Sequence, residues 1–154
     1  MVGKYFIAAK VPQSVRRQFD HLYSHHDHHH HGLSWYTGEW LIVPIRYFGH
    51  HIHDIGEAMV AMHSLHSIDP ATAMLGHEAH KLGDDLVYVP VHCLDGMARD
   101  VRKKTRHIGE DEMHSFVGRI TIVKRNHGSH HHHLPHITEK FHGQFVVDKL
   151  YLMH

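Results

Sequence analysis

Cysteine is nearly missing from this chain: Cys93 is the only one in 154 residues. No intrachain disulfide can brace the fold, a pattern suited to a reducing compartment, so the expected location is cytoplasmic. Net charge is missing as well. Sixteen Lys and Arg balance sixteen Asp and Glu, and bulk electrostatics gives no reason to expect DNA binding. No stretch approaches the ~18 consecutive apolar residues that a spanning helix requires, so no membrane association is expected. Met1-Val2-Gly3-Lys4 runs into a strand-like segment without the apolar core of a signal peptide. Gly-rich phosphate loops and nucleophile elbows are also absent, which removes the commonest nucleotide and acyl-transfer motifs.

Histidine, by contrast, is abundant, at 25 residues. It concentrates in His25-His26-Asp27-His28-His29-His30-His31 and in His130-His131-His132-His133. Neutral imidazoles bind zinc, nickel and copper, and neighbouring histidines in a loop supply two or three ligands. His28, His30, His130 and His132 are therefore candidate metal ligands. Adventitious Zn, Ni or Cu is expected there, with no cofactor required. The run Gly-Ser-His-His-His-His at 128–133 resembles a purification tag, so a histidine-rich metal-binding or engineered scaffold is one reading of the chain. His77-Glu78-Ala79-His80 is one residue short of the His-Glu-x-x-His metalloprotease spacing and carries little weight.

The length suits one domain over 1–154, with histidine-rich loops at 24–32 and 126–133. Lys4 to Lys10 is a short apolar strand of the kind found centrally in a sheet. Pro12 opens a helix carrying Val15, Phe19 and Leu22, which fades near Ser24. Ile52, Ile55, Met59 and Met62 form the expected core stripe of a second helix that ends by Asp69-Pro70. Ala71 to Lys81 is ambiguous. Gly83-Asp84-Asp85 turns into a strand from Leu86 to Val91. A third helix starts near Asp95, with Leu94, Met97, Val101 and Ile108 inward, while Arg99, Arg102, Lys103, Lys104 and Arg106 form a solvated face. Leu134 to Lys140 reads as a helical turn and Gln144 to Leu152 as a closing strand. Such alternation argues an α+β or α/β fold with helices packed on curved sheets.

Two stretches share one shape. Glu39-Trp40-Leu41-Ile42-Val43-Pro44-Ile45-Arg46-Tyr47-Phe48-Gly49 and Phe116-Val117-Gly118-Arg119-Ile120-Thr121-Ile122-Val123-Lys124 both read as strands. Their frames lie 77 residues apart (Ile42 to Arg119), about half the chain. In the second, Arg119 and Thr121 share a parity, which aims a guanidinium fork and a hydroxyl the same way. Pro44 has no amide to donate, so it must sit on a sheet edge or at a bulge. By simple alternation Arg46 shares a face with Ile42 and Pro44.

The pair resembles the two signature strands of the 2H phosphoesterases (LigT-like proteins, the RNA 2′,3′-cyclic phosphodiesterases or 2′-5′ RNA ligases), which carry His-x-Thr-Leu twice. The first frame keeps Glu39, Leu41, Ile45, Tyr47, Phe48 and Gly49; the second keeps Phe116, Thr121, Ile122 and Lys124. The departures fall on the chemistry: Ile42 and Arg119 stand where the family has its histidines, and Pro44 stands in place of its first threonine. The resemblance implies an α+β, bilobal fold with two antiparallel-rich sheets around a cleft and helices outside. It further implies that two histidines would exchange protons across that cleft while threonines hold the phosphate.

Proton transfer needs a group whose pKa lies near the working pH. Isoleucine does not titrate, and a guanidinium stays protonated to a pKa above about 12. Losing both histidines removes a factor of about 10² to 10⁴ for each. The expectation is a catalytically degenerate protein, without catalytic residues at Ile42 and Arg119. Arg119, Thr121 and Arg46 then become candidates to hold a phosphorylated small molecule or an RNA end. The plainer alternative for Arg119 is a strand-surface arginine paired with a carboxylate. A rival reading is an active cyclic phosphodiesterase that borrows other histidines, such as His50, His51 and His114. The oligomeric state is left open by the sequence.

Overall fold

A computed structural model of the chain describes residues 5–26, 32–48, 55–106, 108, 115–128 and 133–154. His28, His30, His130 and His132 fall outside the described residues, as do His50, His51 and His114. Three helices and nine strands are present among the described residues: β1 (Phe6–Lys10), α1 (Gln13–His25), β2 (Leu33–Trp35), β3 (Ile42–Tyr47), α2 (Ile55–His63), β4 (Ala71–Leu75), β5 (His80–Leu82), β6 (Leu86–His92), α3 (Asp95–Thr105), β7 (Arg119–Arg125), β8 (Gln144–Val147) and β9 (Tyr151–Met153). The strands form two sheets, all of whose pairings are antiparallel: β3-β1-β9, and β2-β7-β6-β4-β8 with β5 also on β6.

The apolar first strand is central, as its composition requires: Ile7, Ala8 and Ala9 are fully buried between β3 and β9. Helix α1 buries Val15, Phe19 and Leu22, and Phe19 stacks on Phe141. Helix α3 buries Met97, Ala98, Val101 and Thr105 and leaves its basic residues outside. Ala71 to Lys81 resolves into two short strands, β4 and β5, lying in succession along the same edge of β6. The break at Gly76 is fixed by its amide, which donates to the Pro90 carbonyl at 2.7 Å.

Three expectations are corrected. Gln144 to Leu152 is not one strand but two, β8 in the larger sheet and β9 in the smaller, separated at Asp148-Lys149-Leu150. Leu134 to Lys140 contains no helical turn; it runs irregularly and pairs once, Lys140 with Glu78. On α2 the buried stripe is Ala58 and Ala61, continued by Leu65, while Ile55 and Met59 are more than half exposed. A helix this apolar offers two stripes of equal period, and the small alanines let it approach the sheet more closely. Ile52 lies outside the described residues, and among the described members of the expected stripe Met62 alone packs partly against the core.

Candidate functional site

The two signature frames occupy β3 and β7. These strands belong to different sheets but come within 8 Å of one another. Their burial follows one pattern. Ile42 and Pro44 in β3, and Arg119 and Thr121 in β7, are half-buried; Val43, Ile45, Ile120 and Ile122 between and after them are buried.

Each strand also carries a register shift at the same place. Ala8 pairs with Pro44 and Ile7 with Arg46, so Ile45 is the extra residue. Tyr88 pairs with Thr121 and Val87 with Val123, so Ile122 is the extra residue. A bulge places two successive residues on one side and reverses the phase beyond it. The bulged residue is the fourth of both strands, and the two strands are built alike. Pro44 sits on an edge strand and beside a bulge, meeting both conditions that its missing amide imposes.

The bulges redistribute the cations. Beyond Ile45, Arg46 turns to the buried side, and only 2 % of it is exposed. Its guanidinium donates to the Thr105 carbonyl at 2.5 Å, to the Thr105 hydroxyl, and to the Ile108 carbonyl at 2.9 Å. The Phe48 ring lies 4.8 Å from the guanidinium carbon. Thr105 is the last residue of α3, where carbonyls lack helical partners and the helix dipole favours a cation. Arg46 therefore ties β3 to the C-terminus of α3, and the fork proposed for a ligand is spent on the helix. Simple alternation missed this because it cannot see the bulge.

On β7 the same device works in reverse. Val123 turns inward and is fully buried, and Lys124 becomes exposed on the face of Arg119 and Thr121. Register gives the neighbours on that face. Pro90 lies beside Arg119, Tyr88 beside Thr121, and Leu86 beside Lys124 on β6; Ser34 flanks Lys124 on β2. On the far side of β6, His80 pairs with Tyr88, their rings 5.9 Å apart. Tyr36 prolongs β2, its amide donating to the Ile122 carbonyl at 2.9 Å. Trp35 faces the other way, toward the Tyr23 ring of α1 at 5.8 Å. The Arg119–Thr121 face is thus the one turned away from the helices. Lys124, Tyr88 and Tyr36 are the members that strand alternation alone did not reveal.

Gly118 sets the height of Arg119 above β6. The Val91 amide donates to the Gly118 carbonyl at 2.9 Å, and a Cβ at residue 118 would stand 2.3 Å from the Val91 carbonyl oxygen. Glu78 lies apart from this face. It pairs with Lys140, whose hydrogen bond and charge hold the Glu78 carboxyl below the usual carboxylate range. Among the described residues no group of three or more His, Cys, Asp or Glu is placed to hold a metal ion. No described helix is long and apolar enough to cross a membrane.

No family model and no curated protein sequence matches the chain. Solved structures do match its fold. Protein TT0787 of Thermus thermophilus superposes with a TM-score of 0.72 at 15% identity, over 97% of this chain and 87% of that one. The PDE domain of MHV ns2 superposes with a TM-score of 0.65 at 12% identity, over 97% of this chain and 96% of that one. At such identities the likeness speaks for the fold, and it spans nearly the whole chain. The chain has the α+β fold of these two structures, the fold expected from the resemblance of its two frames to the 2H phosphoesterases.

Proposed function

We propose that this protein binds a phosphorylated ligand, a nucleotide or an RNA end, at Arg119 and Thr121 and does not turn it over. The observation that carries the reading is the pairing of those two half-buried residues on the sheet face turned away from the helices, in the frame that resembles a phosphoesterase signature. A guanidinium donates in a planar fork that matches phosphate oxygens, and the Thr121 hydroxyl adds a donor at the next position on that face. The opposite frame contributes Ile42 and Pro44, neither of which can move a proton.

Titration calorimetry with uridine 3′-monophosphate tests this. Arg119→Ala is expected to weaken binding by about tenfold or more, the worth of one charge-assisted hydrogen bond, with Thr121→Val costing less. Equal affinity for wild type and Arg119→Ala would remove the site.

One observation favours the enzymatic alternative enough to name a residue. His80 stands in line with Tyr88 and Thr121 across the sheet. If the wild type hydrolyses a cyclic phosphate and His80→Ala abolishes the reaction, that alternative replaces ours.

A further inference from the structure

The run His77-Glu78-Ala79-His80 spans the break between β4 and β5, and the fold gives its first histidine a distant partner. His77 and His142 are 65 residues apart in sequence. Their ring centres stand 5.5 Å apart, with the planes tilted by 53°. His80, the other histidine of the run, turns instead to the Tyr88 ring. Both His77 and His142 are exposed.

The backbone beneath the pair is fixed from both sides. Past β4 the chain runs beside the segment that leads into β8. The Leu75 amide donates to the Gly143 carbonyl at 2.9 Å, the Phe141 amide to the His77 carbonyl at 2.9 Å, and Glu78 bridges to Lys140. Helix α1 holds the other side. The Gln18 side-chain amide donates to the His142 carbonyl at 2.6 Å, and its oxygen accepts from the His142 amide at 2.9 Å. Phe141, next to His142, is buried and stacks on Phe19. Side chains carried on so rigid a base lose little freedom when a ligand joins them.

The tautomer of His77 is set as well. Its Nδ1 lies 3.3 Å from the Phe141 carbonyl oxygen, which can only accept, so Nδ1 carries the proton and Nε2 keeps the lone pair. Metal-bound histidines have this arrangement, the second ring N–H going to a carbonyl or a carboxylate. Two imidazoles bonded to one metal at about 2.0–2.1 Å, near the tetrahedral angle, bring their ring centres to about 5 Å. The spacing found is close to that. Imidazole suits zinc, nickel and copper, whereas magnesium and calcium require oxygen ligands. The adjoining carboxylate, Glu78, is already paired with Lys140.

We propose that His77 and His142 form a two-imidazole site for a divalent transition metal of the zinc, nickel and copper group, with water completing the coordination. Bound there, the metal clips segment 140–143 to the end of β4, joining parts of the chain far apart in sequence. The site is separate from the histidine tracts and from Arg119 and Thr121.

The test follows the ring nitrogens of assigned histidines by ¹H–¹⁵N NMR in the full chain. Zn²⁺ is added beyond saturation of the tracts at about pH 8, where imidazoles are neutral, and Mg²⁺ is the control. His77 and His142 are expected to shift together with one midpoint, and Mg²⁺ to move neither. In His142→Asn the midpoint of His77 should weaken by about tenfold or more, since the remaining imidazole binds without its second contact. His77→Asn should do the same to His142. Melting temperatures in chelator check that both variants keep the wild-type fold. Separate midpoints for the two rings, or a His77 response that survives His142→Asn, overturn the site and leave adventitious binding at single histidines only. Shifts confined to the tracts overturn it outright.

Discussion

Two arginines that look alike in the sequence have opposite fates. Arg46 is buried against the end of α3 with both terminal nitrogens occupied, whereas Arg119 is half-buried on an open sheet face. Removing Arg46 strips a cationic cap from buried carbonyls and leaves a void. Arg46→Ala should lower unfolding free energy by about 3–5 kcal/mol, read as a fall in denaturation midpoint at unchanged slope. Arg119→Ala should stay within about 0.5 kcal/mol of wild type. Equal losses for the two would mean that Arg119 is structural as well. The identity of each residue was plain in the sequence, but its direction was not. A bulge is set by what the neighbouring strand pairs with, and Pro44 called for an edge or a bulge without deciding between them.

The same limit governs the elements. Strongly periodic segments were legible: α1, α3, the central β1 and the β6 strand all stand where their apolar spacing placed them. Segments without a unique pattern were not. Helix α2 had two equivalent stripes, and close approach to the sheet selected the alanines. The closing strand had continuous β character, yet it changes sheet at Asp148-Lys149-Leu150. The junction of β6 and β7 offers a sharper test of how an element positions the site. Gly118 allows a backbone approach that no side chain permits, since a Cβ would meet the Val91 carbonyl oxygen, which cannot rotate away. Gly118→Ala should cost about 1–3 kcal/mol and weaken ligand binding by shifting Arg119. A variant of wild-type stability would show that β7 can slide without penalty.

At the scale of the whole molecule, two frames of about ten residues were sufficient to suggest the architecture, and structural neighbours at 15% and 12% identity share it. The tie between these frames and the fold has a physical basis. Val43, Ile45, Ile120 and Ile122 face the core, and both frames place a bulge at the seventh residue, so the fold requires them whether or not chemistry is done. Ile42 and Pro44, like Arg119 and Thr121, alternate with them and are half-buried, so they can change without unfolding the protein. Fold and chemistry are thus written in alternate residues of the same strands.

The most direct test of the account is turnover of a 2′,3′-cyclic nucleotide and of a short RNA with a cyclic phosphate end, measured with chelator present. Wild type should be run beside the Ile42→His, Arg119→His double variant. The account predicts a wild type without activity and a double variant that gains a measurable rate, since each restored histidine is worth about 10² to 10⁴ in proton transfer. Efficient turnover by the wild type would contradict it, and would place the acid and base among the chain's other histidines.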